Sequence, residues 1–172
     1  MGLDISATGT GVVVIDGDAG RKPKLVVEYE ISTKKLTGMA RISEIASKII
    51  ATMTDHAPSK IVVEDYAVGK FAGSAIVSIE VGAIVRYFMA QYEQKIGLVS
   101  PTALKKFVSG KGTSKKEQMM MHILQRWGHA SLTNNTADAY GLAVMGLAHG
   151  GLLLGVTALQ KEIIGAVKFK IP

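Results

Sequence analysis

Apolar residues in the first part of the chain form the short runs that are typical of β-strands. The first run covers residues 1–6, the second 12–15 and the third 24–32. Small or Gly- and Asp-containing segments separate the runs and indicate tight turns. Because sequential strands joined by short turns favour an antiparallel meander, we predict three antiparallel strands here.

After residue 38 the apolar residues follow the three- and four-residue spacing of amphipathic helices. Helices and intervening strands are expected, in chain order, at helix 39–53, strand 60–65, helix 75–94, strand 98–100, a short helix from 101, helix 115–127 and a helix ending near 149. Asn134 or Asn135 is the expected N-cap of that last helix. Strands joined through helices pair in parallel. The sequence therefore predicts an α/β fold with a five-stranded mixed sheet flanked by helices.

The composition indicates one domain and a polyanionic partner. The chain has 172 residues, of which 48% are hydrophobic, and this is enough for a full core. The net charge of +6 suits nucleic acid. There is no cysteine, so disulfides and thiolate metal sites are excluded, and the four histidines lack a paired spacing for Zn²⁺.

Two further patterns concern the location of the protein. The first residues lack the features of a signal peptide, and no run of about 18 apolar residues could span a membrane. We therefore expect a cytoplasmic protein, in a bacterium or a phage-infected host cell. Residues 151–172 are expected to form a C-terminal extension, with a helix around 157–167, packed on the same domain.

Three carboxylates stand where apolar or small residues would be expected. Asp4 lies in the first apolar run, Glu64 ends a later one and Asp138 lies in an Ala-rich segment. Acidic side chains are rarely fully buried unless they are paired or bind a metal. A hard cation such as Mg²⁺ would relieve their mutual repulsion. The pattern predicts a metal-dependent enzyme acting on phosphate esters, with turn capping, a solvated strand end and a helix N-terminal acid as the respective structural alternatives.

Further candidate residues surround these acids. Asn135 lies three residues before Asp138, so the two share a helix face, although Asn135 is also a plausible cap. Lys116 is expected to reach a reacting phosphate. The Lys-rich segment around it is expected to contact nucleic-acid phosphates through Lys105, Lys106, Lys111, Ser114 and Lys115, and a solvated basic loop is the alternative interpretation.

Two aromatic residues follow the second acid. Tyr66 and Phe71 flank a Gly-containing loop after Glu64. Aromatic side chains at such a position could stack on unpaired bases. Packing in the core is the alternative interpretation for both.

Together these motifs resemble the RuvC Holliday junction resolvases, and most closely their compact bacteriophage-type members. The likeness extends from residue 1 to about residue 149. Its motifs, in chain order, are Gly2-Leu3-Asp4-Ile5-Ser6, Val63-Glu64-Asp65-Tyr66, Ser100-Pro101-Thr102 with Lys105, Gly110-Lys111-Gly112 through Lys116, and Ala137-Asp138-Ala139.

The resemblance implies a homodimeric endodeoxyribonuclease of recombination or repair with an RNase H-like domain over residues 1–150. Such an enzyme would resolve four-way DNA junctions by paired symmetric nicks, through two-metal-ion hydrolysis with Mg²⁺ or Mn²⁺. Asp4, Glu64 and Asp138 match acidic metal ligands. Asn135 matches a ligand position that is often Asp and sometimes His, so it departs from the family. Lys105 and Lys116 match basic positions near the scissile phosphate, and Tyr66 is the best match for a stacking aromatic.

Two other functions on the same fold are compatible with the sequence. A neutral residue at position 135 suits a protein that binds branched DNA and cuts it weakly or not at all. A less selective nuclease of branched DNA is the second, because selectivity depends on dimer geometry and loop shape. A sugar-kinase-like or actin-like ATPase would need two large lobes, and 172 residues are too few for them.

Overall fold

The computed structural model of the protein describes residues 1–19, 21–66 and 73–172, with the backbone alone for 73–75. Phe71, one of the two predicted stacking aromatics, lies outside the described residues. The elements, in chain order, are β1 (Gly2–Asp4), β2 (Gly9–Asp16), β3 (Lys24–Ser32), α1 (Gly38–His56), β4 (Ile61–Glu64), α2 (Gly73–Gln91), β5 (Ile96–Val99), α3 (Pro101–Ser109), α4 (Lys116–Trp127), α5 (Asn134–His149), α6 (Ala158–Gly165) and β6 (Phe169–Lys170).

The strands form one mixed sheet in the order β3-β2-β1-β4-β5-β6. Strands β1, β2 and β3 pair antiparallel, whereas β1, β4 and β5 pair in parallel. The predicted antiparallel start and parallel continuation are therefore confirmed, as is the α/β class. The predicted number of five strands is wrong, because β6 adds a sixth strand antiparallel to β5.

Strand β6 is only two residues long and carries no periodic pattern that a sequence could display. Its position depends on Gly97 of β5, because a side chain there would collide with Val167 and Phe169. The Phe169 ring also packs against His149, with ring centroids 4.6 Å apart. Tertiary packing, and not local propensity, therefore forms this strand.

The sheet separates two apolar cores. Leu3 and Val63 point to one face, where they pack with residues of α1 and α2. Val13 and Val62 point to the opposite face, where they pack with residues of α3, α4 and α5. Neighbouring positions on one strand thus serve different cores, as the alternation of side chains along a strand requires. Helices cover both faces, as expected for strands connected through helices.

Two glycines allow α5 to lie directly on the sheet. A Cβ atom at Gly2 would collide with the carbonyl oxygen of Ala139, and one at Gly11 would collide with the carbonyl oxygen of Asn135. Both glycines belong to the central strands β1 and β2. The backbone of α5 is therefore much nearer to these strands than a helix facing larger side chains would be.

The C-terminal residues pack on the same helices. The side chain of Gln160, in α6, is only 3% exposed. Its Nε2 atom donates a hydrogen bond of 2.9 Å to the carbonyl oxygen of Phe107 at the end of α3. Thr157 caps α6 by accepting from the backbone N–H of Gln160. A functional boundary at residue 150 stays a prediction.

Within the described residues, every helix is too short or too polar to cross a membrane. The cytoplasmic location expected from the sequence stays a prediction.

We expect Gly2→Ala to destabilise the protein strongly, because the added methyl group would push α5 away from β1. Overpacking of this kind typically costs about 1–3 kcal/mol of the free energy of unfolding, and contact with backbone places this substitution at the upper end. Gly165→Ala is the matched control, since no atom lies within 4 Å of a Cβ at that position. Urea denaturation of the two variants measures the difference, and equal stabilities would contradict the close approach of α5.

Candidate active site

The first two acids lie side by side at the ends of neighbouring parallel strands. Leu3 of β1 pairs with Val63 of β4, so the next residues in each strand, Asp4 and Glu64, are neighbours. Alternation directs both acidic side chains to the sheet face that α5 covers. The carboxyl ends of parallel strands form the crevice in which α/β proteins commonly bind ligands. Asp4 is nevertheless only 8% exposed.

Helix α5 brings the third acid to this place. Its N-cap is Thr133, whose hydroxyl oxygen accepts from the backbone N–H of Thr136 at 3.2 Å. The expected cap, Asn134 or Asn135, is therefore wrong by one or two residues, because a Thr–Thr pair takes the reciprocal bonds of a capping box. Asp138 lies in the second turn of α5 and is half-buried.

Asp4 and Glu64 interact directly. Burial, the Glu64 carboxylate and a hydrogen bond from Asp4 to Glu64 raise the pKa of Asp4 well above its usual range. Burial also raises the pKa of Glu64, which the hydrogen bond from Asp4 partly offsets. Two carboxylates this close cannot both ionise without cost. In the absence of a cation, the pair therefore favours one shared proton.

Asp138 belongs to the same electrostatic group. Burial, followed by the charge of Asp4, raises the pKa of Asp138 to about 6. Its charge in turn raises the pKa of Glu64. The ammonium groups of Lys105 and Lys116 act in the opposite direction on both Glu64 and Asp138. Two cations therefore offset only part of the negative charge gathered around Asp4.

The predicted basic residues occupy two different positions relative to the acids. Lys105, half-buried on α3, and Lys116, the first residue of α4, interact with the carboxylates. The side chains of Lys106, Lys111 and Lys115 are exposed. Helices α3 and α4, with the loop between them, thus place two positive charges near the acids and three more at the surface.

Ser114 lies inside this loop and not on its surface. Its side chain is 7% exposed, and its hydroxyl is 2.7 Å from that of Ser109. It also donates to the carbonyl oxygen of Lys111 at 3.0 Å. These bonds fold the loop that carries the exposed lysines. A direct contact of Ser114 with DNA stays a prediction.

Tyr66 packs against α2. Its hydroxyl donates to the carbonyl oxygen of Ile79 at 3.1 Å, and the guanidinium carbon of Arg86 lies 4.3 Å from its ring centroid. Arg86 is also held by Asp65, with 3.4 Å between Nη2 and Oδ1. The described contacts favour a packing role, and stacking of Tyr66 on a base stays a prediction.

A further acid lies near Asp4 and was not predicted from the sequence. Glu30, on β3, pairs with Gly11, which in turn pairs with Asp4, so one row crosses three strands. Its Oε2 accepts from the Thr133 hydroxyl at 2.7 Å and from Asn135 Nδ2 at 3.2 Å. Its charge contributes to the raised pKa of Asp4. The alternation of Glu28 and Glu30 along β3 is typical of the solvent-facing side of an edge strand, so the sequence carries no signal for this role.

The chemistry of this donor set fits a hard divalent cation. Asp4, Glu64, Asp138 and Asn135 offer only oxygen donors to a cation, and the carboxylates oppose one another's ionisation. In the part of the chain that the structure describes, no three acidic or histidine side chains already converge as a complete ligand set. Ligation of a cation by Asp4 and Glu64 would replace the hydrogen bond between them.

The mixed sheet, its covering helices and the acids at the strand ends define a protein of the RNase H-like fold. Residues 1–146 match the family described as Crossover junction endodeoxyribonuclease RuvC. The chain belongs to the RuvC family. Members of this family are metal-dependent nucleases.

Individual relatives agree with this assignment. The RuvC protein of Nocardioides sp. is 25% identical over 171 residues, covering 95% of this chain and 96% of the relative. That of Parvibaculum lavamentivorans is 28% identical over 155 residues, covering 88% and 86% of the two chains. The structure of T. thermophilus RuvC in complex with a Holliday junction substrate matches with a TM-score of 0.72 at 16% identity, covering 98% of this chain and 96% of that one. The likeness to bacteriophage-type members in particular stays a prediction.

We expect Asp138→Asn to stabilise the metal-free protein at neutral pH. The pKa of Asp138 is raised from 3.8 to about 6 on folding, so the folded state binds its proton more tightly than the unfolded state does. Stability from this group is thus present at low pH, falls as the pH rises through that interval, and is lost above it. This rise in the pKa of Asp138 corresponds to at most about 3 kcal/mol of the free energy of unfolding.

Urea denaturation of metal-stripped protein at pH 7.5 and pH 4 measures this effect. The gain of the variant over the wild type should be present at pH 7.5 and absent at pH 4. Asp55→Asn, at an exposed position of α1, removes the same charge and serves as the control. Equal stability of Asp138→Asn and the wild type at pH 7.5 would contradict the raised pKa.

Proposed function

We propose that this protein is a crossover junction endodeoxyribonuclease, which resolves four-way DNA junctions by paired, symmetric nicks. The observation that carries the proposal is the gathering of Asp4, Glu64 and Asp138 at one end of the central strands, with Lys105 and Lys116 beside them. Membership of the RuvC family and relatives that carry this activity in their names support the same reaction.

We propose Asp4, Glu64, Asp138 and Asn135 as the metal ligands, with Mg²⁺ as the metal and Mn²⁺ as a substitute. Bound at these oxygens, two such ions would supply an activated water and stabilise the departing oxygen of a phosphodiester. The carboxylates would hold the cations because Lys105 and Lys116 offset only part of their negative charge. Lys116 contributes a further positive charge near the scissile phosphate, where charge builds up in the transition state.

The exposed lysines are proposed to bind the DNA backbone. Lys106, Lys111 and Lys115 lie at the surface of the loop and helix ends next to the acids. Phosphate contacts of this kind position DNA without reading its sequence. Ser114 contributes by holding the loop, and Tyr66 remains the candidate for stacking if DNA displaces its contacts with α2.

Two symmetric nicks require two active sites, so we propose a homodimer. Exposed apolar side chains on α2 are the candidate contact, since Ile76, Ile79 and Tyr87 are 54%, 37% and 58% exposed. They recur at three- to eight-residue intervals on one helix, which suits packing against a second helix. Residues 1–150 would form the nuclease domain and residues 151–172 an extension packed against it.

A protein that binds junctions without efficient cleavage is the second candidate. It is favoured by one observation, the neutral Asn135 at a position where the family often carries an acid. Removing one charge weakens the attraction for a divalent cation. The two candidates differ in what they do to a bound junction in the presence of metal.

A labelled synthetic four-way junction, incubated in Mg²⁺, Mn²⁺ or EDTA, tests the proposal. We expect metal-dependent, symmetric nicks in opposed strands, with linear duplex left uncut. Asp4→Asn should lower the nicking rate at least about 100-fold while junction binding persists, because a transition-state contact is lost and the surface lysines remain. Tight binding without cleavage in either metal would favour the second candidate, and equal cutting of forks and flaps would favour a less selective nuclease.

Lys116→Ala and Lys115→Ala form a matched pair of neighbouring substitutions. Both side chains are exposed, but Lys116 acts electrostatically on the acids, whereas Lys115 is the N-cap of α4. We expect Lys116→Ala to reduce single-turnover nicking by about 100-fold, and Lys115→Ala to weaken junction binding with little change in the rate at saturation. Equal effects of both variants on that rate would argue against a catalytic role for Lys116.

A further inference from the structure

Glu30 contacts the N-terminal end of α5. This end carries Asn135, the one proposed metal ligand that is not an acid. Its Oε2 accepts from Asn135 Nδ2 at 3.2 Å and from the Thr133 hydroxyl at 2.7 Å. A carboxylate only accepts hydrogen bonds, so it must face the nitrogen of an amide. The Asn135 side chain is therefore held with its nitrogen toward Glu30 and its oxygen directed away.

The backbone fixes Glu30 in this place. A Cβ atom at Gly9 would come within 2.7 Å of both Asn135 Nδ2 and Glu30 Oε1, so the absence of a side chain at Gly9 leaves room for the pair. Glu30 lies in the same row of the sheet as Gly11 and Asp4. The position also suits an anion because it lies beside the N-terminal turn of α5.

Glu30 also adds negative charge to the site. Glu30 acts electrostatically on Asp4, together with Glu64. With Asn at position 135, the nearby carboxylates are Asp4, Glu64, Asp138 and Glu30. Position 135 thus provides no carboxylate, but Glu30 on β3 provides one and is hydrogen-bonded to Asn135.

We infer that Glu30 is a positioning residue that compensates for Asn135. It holds the amide so that the Asn135 oxygen is presented to the metal, and it supplies the negative charge that this position lacks. The inference rests on the proposed metal centre and adds a residue to it. It explains how an amide at this position is compatible with a working centre.

Exchanging the two residues tests the inference. In the double variant Glu30→Gln/Asn135→Asp, the amide introduced on β3 can accept from Thr133 and donate to the carboxylate introduced on α5. The hydrogen bonds and the total charge are therefore both kept. Each single substitution breaks this arrangement. Glu30→Gln removes the charge, whereas Asn135→Asp places two carboxylates against each other.

Mn²⁺ alone is the probe, with free Mn²⁺ measured by electron paramagnetic resonance. We expect Glu30→Gln to weaken Mn²⁺ binding about 10–100-fold, as for other groups that orient a ligand. The double variant should recover to within about threefold of the wild type. Glu28→Gln is the matched control on the same strand face, since Glu28 contacts the backbone N–H of Leu132 and His129 Nε2 and makes no hydrogen bond with Asn135.

A second readout needs no metal. In EDTA at pH 7.5, Asn135→Asp should lower Tm by roughly 2–8 °C because of the repulsion with Glu30, and the exchange should restore it. The side-chain NH₂ resonances of Asn135, assigned by their loss in Asn135→Asp, should shift in Glu30→Gln and stay unchanged in Glu28→Gln.

The outcomes separate this inference from the proposed function. Wild-type protein that binds no Mn²⁺ would overturn the metal centre, and the inference with it. Wild-type binding that Glu30→Gln leaves unchanged would overturn the inference alone. Additive effects of the two substitutions on Tm and Mn²⁺ affinity would also overturn it, because a positioning contact requires coupling between them.

Discussion

The close contact between α5 and the central strands is the constraint on which the rest of the site depends. Gly2 and Gly11 allow the helix backbone to lie against β1 and β2. This approach brings Asp138 near Asp4 and Glu64, buries Asp4 and leaves the other two acids only partly exposed to water. Burial is the largest cause of the raised pKa of each. The same packing that stabilises the fold therefore prepares an anionic site, at a cost in stability that a bound cation would offset.

The site is better described as a balance of charge than as a set of ligands. Lys105 and Lys116 offset part of the negative charge, and Glu30 adds to it from the edge strand β3. An unbalanced anionic group that is partly dry attracts a small, strongly charged cation more than it attracts a larger, weakly charged one. The neutral Asn135 fits this balance because its hydrogen-bond partner, Glu30, is an acidic residue.

The sequence allowed much of the fold and three of the site acids to be predicted, for identifiable reasons. Long periodic helices such as α1 and α4 and the β-branched strands display their type locally. Asp4, Glu64 and Asp138 were detectable because they contradict the apolar pattern around them. Glu30 was not, since a polar residue on an edge strand is unremarkable until the loop before α5 is known to cover it. The cap at Thr133 and the strand β6 likewise depend on partners distant in the chain.

The parallel pairing of β1 with β4 has a consequence for how the protein becomes active. Asp4 meets Glu64 only when residues about 60 positions apart in the chain have paired, and Asp138 joins them only when α5, a further 70 residues on, lies over the sheet. Contacts between distant parts of a chain form late, because their loop-closure entropy is lost before any contact compensates for it. A partly synthesised or partly folded chain thus lacks the assembled acids altogether. The three acids therefore act together only in the completed fold, because no local segment of the chain holds more than one of them.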